Sequence, residues 1–226
     1  MIGVQARSGS TRLKGKCSLE IDRGPGSLAG NVMVQANYAS MWIGKQAVAV
    51  MLVPIGDPIM KKFKDRYEVF EGDELDVLGR YYDAAEEYNP DYIVRLTGDC
   101  PWMTSHMIMK CVRATIKYGA DYCSNILVRT FMEGLDVEVI SRRLLKALDS
   151  KVHSDSGREH VTSEIPSLIK EGRLQGFVFH TVLSYYDLSH IKTSIDTREE
   201  YDHCNALYEK KRTKFNLAES YGTIST

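Results

Sequence analysis

Apolar runs alternate with segments of helical spacing along most of this 226-residue chain. Runs of the first kind, which are typical of strands buried on both faces of a sheet, cover residues 1–6, 47–53 and 92–96. Segments of the second kind cover residues 27–42, 73–88 and 105–118. This alternation predicts an α/β fold with a mostly parallel central sheet and helices on both faces.

Shorter elements follow in the rest of the chain. Strands are predicted at 67–70, 120–123, 135–140 and 176–180, and helices at 141–148, 159–170 and 198–211. A short helix is predicted after Asp57, which would cap it, with Pro58 in its first position. We expect one domain over residues 1–211, followed by a polar tail over 212–226 that frays.

Composition and charge exclude several classes of protein. The chain is 43% hydrophobic and 26% charged with a formal net charge of −1, so its overall charge does not favour nucleic acid or a membrane surface. No window approaches the ~20 apolar residues of a membrane span, and Arg7 follows the first apolar run too closely for a signal peptide. The five cysteines form no C-x-x-C pair, which is typical of reduced thiols in a cytoplasmic protein.

A basic loop, RSGSTRLKGK at residues 7–16, follows the first predicted strand directly. It carries four cations, three hydroxyls and two glycines at the sheet edge where α/β proteins bind their ligands. These groups favour a polyanion, most simply a triphosphate. The spacing is neither that of a Walker A loop nor that of a dinucleotide-binding loop, and a solvated basic turn is the alternative. The nucleotide contacts predicted here are Ala6, Arg7, Ser8, Gly9, Ser10, Thr11, Arg12 and Lys16.

Two aspartates stand where a divalent cation can be held. Asp99 follows the predicted strand 92–96 after Thr97-Gly98, a turn assigned to the nucleotide because Gly98 lets the backbone approach a ligand closely. Asp196 precedes the last predicted helix. Mg²⁺ is usually held by one or two carboxylates together with substrate phosphates, so the pair predicts magnesium-assisted phosphoryl or nucleotidyl transfer. A turn former at Asp99 and a helix cap at Asp196 are the alternatives.

Charged residues further along the chain are additional candidates. Arg158 lies near the start of the predicted helix 159–170, where a positive charge opposes the helix dipole and so favours a ligand role. Asp136 and Glu138 lie on one face of a predicted strand, and they either meet a polar ligand, here assigned to the acceptor, or form a solvated edge. Arg80 is interpreted as an intrahelical partner of the acidic residues before it.

Seven short blocks occur in a fixed order: QARSGSTRL (5–13), GDELDVLGRYY (72–82), IVRLTGDCP (93–101), GADYCSN (119–125), GLDVEV (134–139), REHVT (158–162) and IDTREEY (195–201). Together they resemble the cytidylyltransferases of the spore-coat polysaccharide type, relatives of the 3-deoxy-manno-octulosonate and acylneuraminate cytidylyltransferases. The resemblance covers residues 2 to about 208. It implies a Rossmann-like nucleotide-diphospho-sugar transferase fold, and a reaction in which CTP and an acceptor give a CMP-linked product and pyrophosphate.

The resemblance also implies roles for individual residues. The triphosphate loop carries the catalytic cations Arg7, Arg12 and Lys16, and Asp99 and Asp196 fall on the two metal-binding aspartates. Further implied contacts are to the nucleoside at Asp76 and Arg95, and to the acceptor at Arg158, Glu159 and His160. The favoured acceptor is a sugar acid, and Mg²⁺ is the expected cofactor.

Departures from the family pattern bear on the acceptor and on oligomer contacts. Lys14 stands where the family usually has proline, and Arg23-Gly-Pro replaces a common glycine-lysine-proline turn. Residues 124–156 carry exposed-looking apolar side chains and are the expected interface of a homodimer, with core packing as the alternative.

Two other classes of protein stay open as alternatives. One is a glycosyltransferase that uses a nucleotide sugar, which would use a D-x-D motif, and the other is a non-catalytic nucleotide-binding protein.

Overall fold

The computed structural model describes residues 1–21 and 26–222, with side chains up to residue 210. Seven strands in this part of the chain form a single sheet. The strands are β1 (Ile2–Gln5), β2 (Ala49–Pro54), β3 (Glu68–Gly72), β4 (Tyr92–Thr97), β5 (Tyr122–Ser124), β6 (Glu138–Ser141) and β7 (Phe179–Thr181). Their order across the sheet is β3-β2-β1-β4-β6-β5-β7. The Arg23-Gly-Pro turn noted in the sequence lies outside the described residues.

The order of the strands creates a crevice at one edge of the sheet. β1 pairs in parallel with β2 on one side and with β4 on the other, so the strand order reverses at β1. Gln5 lies opposite Thr97 in the register, and the loops that follow these two residues therefore emerge side by side. Ligands bind at such reversals in open α/β sheets. Only β6 runs antiparallel to its neighbours within the described sheet, so the predicted mostly parallel sheet is confirmed.

Helices cover both faces of the sheet, as predicted. They are α1 (Leu28–Ile43), α2 (Ile59–Phe63), α3 (Val77–Tyr88), α4 (Ser105–Tyr118), α5 (Arg142–Lys151), α6 (Asp155–His160), α7 (Ile165–Lys170) and α8 (Arg198–Gly222). β2 is buried along its whole length: Met51 and Val53 pack with α1 and α4, while Val50 and Leu52 pack with α3 and α5 on the other face. This two-sided burial explains why the run at 47–53 contains no polar alternation.

The predicted helix 159–170 is wrong, because the chain breaks it into α6 and α7. Val161 has a φ of +60°, a conformation that a β-branched residue rarely adopts. The N–H of Thr162 donates to the carbonyl of His160 at 2.6 Å, which closes a tight turn around Val161. Pro166 in the first turn of α7 then starts the second helix. Tertiary contacts hold the turn, since the Thr162 hydroxyl donates to a buried carboxylate on β6.

Other element ends also differ from the prediction. α3 begins at Val77, because Asp73 accepts from the backbone N–H groups of Leu75 and Asp76 and so forms a turn before the helix. Leu75 is consequently 73% exposed rather than part of the buried helix face. α2 begins at Ile59, directly after Pro58, and the Asp57 carboxylate accepts from the N–H of Ile59 at 2.8 Å, so the predicted capping role of Asp57 is confirmed although the helix begins one residue later. α8 continues past the predicted end at residue 211.

No helix in the described part of the chain is both long enough and apolar enough to cross a membrane.

A buried carboxylate makes the fold sensitive to acid. Asp121 is 4% exposed and accepts from the Ser141 hydroxyl at 2.7 Å, the Val178 N–H at 3.0 Å and the Arg143 guanidinium. Burial alone would raise the pKa of Asp121, but these donors outweigh it and lower the pKa below its usual value. The stabilisation is therefore complete above the unfolded-state pKa, and it is lost as pH falls below about 4 through the lower folded-state pKa.

We expect Asp121→Asn to lose about 2 kcal/mol of the free energy of unfolding at pH 7, since hydrogen bonds to a charged group are replaced by weaker ones. Its stability should then fall less steeply than that of the wild type between about pH 4 and 2. Urea unfolding across this pH range measures both effects. A variant that follows the wild-type pH dependence would contradict this role of Asp121.

Candidate active site

A polar cleft of about 390 Å³ opens at the carboxyl ends of β1 and β4. The predicted site residues that line it are Ala6, Arg7, Ser10, Thr11, Arg12, Lys16, Arg95, Thr97, Gly98, Asp99, Asp136, Glu159, His160 and Asp196. A second cavity of about 460 Å³ lies at the opposite edge of the sheet, and most of its walls are apolar. The crevice at the strand reversal therefore brings the basic loop and both aspartates into one cleft.

The basic loop at residues 7–16 is positioned by Asp57. Ser8 donates to the Asp57 carboxylate from its N–H at 2.8 Å and from its hydroxyl at 2.6 Å, and the same carboxylate binds the first N–H of α2. Gly15, with a φ of +66°, then lets the chain turn into a short 3₁₀ helix, Lys16–Ser18. Ser8 and Gly9 were predicted nucleotide contacts, but they are not among the residues that line the cleft.

The ammonium group of Lys16 bridges the two predicted metal ligands. Its Nζ lies 2.6 Å from Oδ2 of Asp99 and 2.8 Å from Oδ1 of Asp196. Arg12 also contacts Asp196, with 2.8 Å between Nη2 and Oδ1. Asp196 reaches this point because the carbonyl of Asp99 accepts from the N–H of Ile195 at 2.9 Å, which ties the segment before α8 to the loop after β4.

This arrangement stabilises the charged forms of the groups involved. Burial would favour neutral Lys16, but Asp99 and Asp196 outweigh it and raise the pKa of Lys16. Burial would likewise raise the pKa of Asp196, yet hydrogen bonds from Lys16 and Lys192 bring that pKa down to about 2. Lys16 and Asp196 are therefore ionised at neutral pH, and they meet at the centre of the cleft.

The two carboxylates fit the requirements of a divalent cation. They come from distant parts of the chain and already converge on a single positive group, the Lys16 ammonium. No group of three or more His, Cys, Asp or Glu side chains among the described residues forms a protein-only metal site. A cation held here would thus take its other ligands from substrate phosphates and water, which is the usual arrangement for Mg²⁺.

A further ion pair, formed by the third of the predicted catalytic cations, joins the basic loop to the predicted acceptor side of the cleft. Arg7 Nη2 lies 3.0 Å from Oε1 of Glu159 on α6, and both side chains are partly exposed. Each of the three predicted catalytic cations of residues 7–16 therefore has a carboxylate partner inside the cleft. The sequence predicts this loop as a basic binding site for a polyanion, and it does not indicate that the cations have carboxylate partners.

Asp76 and Arg158, predicted as ligand contacts, bind each other instead of lining the cleft. The Arg158 Nε lies 2.7 Å from Oδ1 of Asp76, which also caps α3, and a second contact reaches Asp149 at 2.9 Å. Arg158 lies in the last turn of α6, not near a helix start. The prediction that the charge of Arg158 opposes the helix dipole is therefore wrong, because a positive charge is favourable at a helix C-terminus.

Glu138 is 1% exposed, so the solvated-edge interpretation is wrong for this residue. Its carboxylate pairs with Arg95, accepts from the Tyr122 hydroxyl at 2.6 Å and also accepts from the Thr162 hydroxyl. Arg95 in turn donates to the Gln5 side chain at 3.1 Å. Glu138 thus lies behind the cleft wall and orients Arg95, which lines the cleft.

Several cleft residues were missed by the sequence reasoning, namely Gln5, Cys17, Val77, Arg80, Cys100, Glu133 and Ser194. Arg80 is the most unusual of them, since it is only 2% exposed and donates to backbone carbonyls of Asp73 and Glu74, at 3.0 and 3.1 Å, rather than to their carboxylates. Burial lowers the pKa of Arg80. Its position beside Val77, Tyr81 and Ala84 on the apolar face of α3 was the available signal.

Gly98 is required by packing as well as by its place in the cleft. A Cβ atom at this position would lie 3.1 Å from the Cβ of Ala29 and 3.1 Å from the carbonyl oxygen of Gln5. The glycine therefore allows α1 and β1 to approach the turn that carries Asp99. The sequence analysis explains Gly98 by the close approach of a ligand. The packing contact is compatible with that explanation, but it requires glycine without any ligand.

Comparison with known proteins finds similarity over most of the chain. Residues 57–220 match a protein-family model described as Cytidylyltransferase. The spore coat polysaccharide biosynthesis protein SpsF of Bacillus subtilis (strain 168) is 29% identical over 214 residues, which cover 92% of this chain and 85% of that protein.

Two solved structures share the architecture. A cytidylyltransferase from Leptospira borgpetersenii superposes with a TM-score of 0.77 and 28% sequence identity, over 94% of both chains. The CMP:2-keto-3-deoxy-manno-octonic acid synthetase complexed with CTP superposes with a TM-score of 0.68 over 93% of this chain and 98% of that chain. The identity in the second case is 14%, so this likeness concerns the fold alone.

Proposed function

Because the chain belongs to the cytidylyltransferase family, we propose that it transfers CMP from CTP to a sugar-acid acceptor and releases pyrophosphate in a magnesium-assisted reaction. One observation carries the details of this proposal. Asp99 and Asp196 converge on the ammonium group of Lys16, at the end of the basic loop, in the crevice where α/β sheets bind their ligands.

The chain's own residues divide into two halves of the cleft. Arg7, Arg12 and Lys16 would bind the triphosphate and neutralise the charge that moves onto the pyrophosphate leaving group. Asp99 and Asp196 would hold Mg²⁺, which supplies charge stabilisation at the phosphate oxygens when bound. An acceptor oxygen would attack the α-phosphorus in line as the bond to pyrophosphate breaks, so that positioning and electrostatics do most of the catalytic work.

The acceptor half is proposed from neighbouring polar residues. Glu159 and His160 line the cleft opposite the basic loop, and Asp136 lies there too, held in a bidentate pair by Arg129. The name of SpsF, a spore coat polysaccharide biosynthesis protein, supports a carbohydrate acceptor. A homodimer through residues 124–156 and a cytoplasmic location stay predictions.

The two alternative functions are a glycosyltransferase that uses a nucleotide sugar and a non-catalytic nucleotide-binding protein. No contact among the described residues favours either of them. A glycosyltransferase has no need for a loop that holds a triphosphate, and membership of a nucleotidyltransferase family argues for catalysis over simple binding. Release of pyrophosphate, rather than of a nucleoside diphosphate, separates transfer of CMP from transfer of a sugar.

Thermal unfolding with each of the four ribonucleoside triphosphates, with and without Mg²⁺, tests the proposed nucleotide. A ligand at about 100 times its dissociation constant adds about 2.7 kcal/mol to the free energy of unfolding, which is readily seen as a higher Tm. We expect the largest shift with CTP, increased further by Mg²⁺. Equal shifts with all four nucleotides would contradict selection of cytosine, and no shift with any of them would contradict the nucleotide site.

A further inference from the structure

The Arg7–Glu159 ion pair connects the two halves of the cleft. Arg7 follows β1 in the proposed triphosphate half, and Glu159 on α6 belongs to the proposed acceptor half. Their contact at 3.0 Å joins residues 152 positions apart in sequence. The side chains are 37% and 41% exposed, so a ligand in the cleft can reach both of them.

This ion pair is weak enough to be exchanged for a better one. Exposed ion pairs contribute little to stability, because water solvates both partners well and salt screens their attraction. A polyphosphate offers several negative oxygens in a geometry that matches the planar guanidinium, and charge-assisted bonds of this kind are stronger. Arg7 therefore has more to gain from a polyphosphate than from the single carboxylate of Glu159.

Glu159 cannot easily follow Arg7, because both sides of its backbone are anchored. On one side, Arg158 is held by Asp76 and Asp149. On the other side, the tight turn at Val161 is fixed by its fully buried side chain and by the Thr162 hydroxyl, which donates to a buried carboxylate. Movement of Arg7 toward a ligand thus leaves the Glu159 carboxylate in the cleft.

We propose that Arg7 and Glu159 form a partner-exchange contact, in which a bound polyphosphate takes the Arg7 guanidinium and leaves the Glu159 carboxylate without its cation. The identity of the polyphosphate as CTP rests on the proposed function, but the exchange itself does not. Glu159 thereby acts as a positioning residue that competes with the nucleotide for Arg7. Once released, its carboxylate is free to accept hydrogen bonds from hydroxyl groups on the acceptor side.

The exchange is tested by calorimetric titration of the full-length protein with inorganic pyrophosphate and with CTP, in the absence of any acceptor. Glu159→Gln should bind both ligands about two- to fivefold more tightly than the wild type, since the competing ion pair is removed. The decisive comparison is made in an Arg7→Met background, where Glu159→Gln should leave both dissociation constants unchanged.

A matched control removes the same charge elsewhere. Glu86→Gln breaks the exposed Glu86–Arg142 pair, which lies outside the cleft, and should leave both dissociation constants at their wild-type values. Equal tightening by Glu159→Gln with and without Arg7 would reduce the effect to simple charge removal and overturn the proposal, as would unchanged or weaker binding in Glu159→Gln alone. If the wild-type protein shows no preference for CTP over the other three ribonucleoside triphosphates in thermal unfolding, the proposed function fails. The pyrophosphate titrations still decide whether Arg7 exchanges its partner.

Discussion

Substitution of Asp99 with asparagine is expected to lower turnover of CTP by about 10²–10³, which is the usual cost of removing one fixed electrostatic group from a polar active site. Asparagine keeps the size of the side chain but loses the charge that faces Lys16 at 2.6 Å. Lys16 would then pair with Asp196 alone, and the proposed metal site would keep one of its two carboxylates. Pyrophosphate release at saturating CTP and Mg²⁺ measures the loss.

The same strand offers a control for this experiment. Asp91 precedes β4 at the opposite edge of the sheet, where it is exposed and far from the cleft. Asp91→Asn makes the same chemical change and should keep wild-type turnover. Near wild-type turnover in Asp99→Asn would exclude Asp99 from a metal-binding role, and an equal loss in both variants would indicate damage to the strand rather than to the site.

The largest expected effect on stability comes from Glu138. Its truncation to alanine leaves the mostly buried Arg95 guanidinium and two hydroxyl groups, those of Tyr122 and Thr162, without their shared acceptor. Removing one member of a buried ion pair typically costs about 3–5 kcal/mol, because the remaining charge is left uncompensated. We expect a loss of this size in the free energy of unfolding of Glu138→Ala, measured by urea denaturation.

Two further variants show whether the loss comes from burial of the charge. Glu86→Ala removes half of an exposed pair with Arg142 and should cost no more than about 1 kcal/mol. Leucine at both Arg95 and Glu138 should recover part of the loss, since no charge is then left unpaired. A Glu138→Ala variant as stable as Glu86→Ala would mean that water reaches Arg95 and that the pair is not buried in solution.

The parts of the fold that could be predicted from the sequence are those decided by local periodicity. α4 has the predicted bounds because Thr104 caps it and Gly119 ends it in the left-handed conformation, and both signals are local. The break at Val161 could not be predicted in this way. Its conformation is held by Thr162 and Glu138, residues that are close only after the sheet has formed.

The same distinction applies to the candidate site. Loops after strands could be placed at one edge of the sheet, so the proximity of residues 7–16 and Asp99 followed from topology. Asp196 lies between β7 and α8, and its place beside Asp99 was implied by the family resemblance. Which groups pair there could not be derived, because Glu159 reaches Arg7 through the packing of α6 on α3. The pairing of Asp76 with Arg158 could not be derived for the same reason, since it joins α6 to the start of α3.

The pairing of cations with carboxylates across the cleft also affects how fast an anionic ligand arrives. Charges that neutralise each other over about 3 Å produce a weak field outside the protein, so long-range attraction adds little to diffusional encounter. Association with a nucleotide should therefore depend only weakly on ionic strength. The affinity for a polyphosphate should then arise at close range, after the ligand has entered and has taken Arg7 from Glu159 as proposed above.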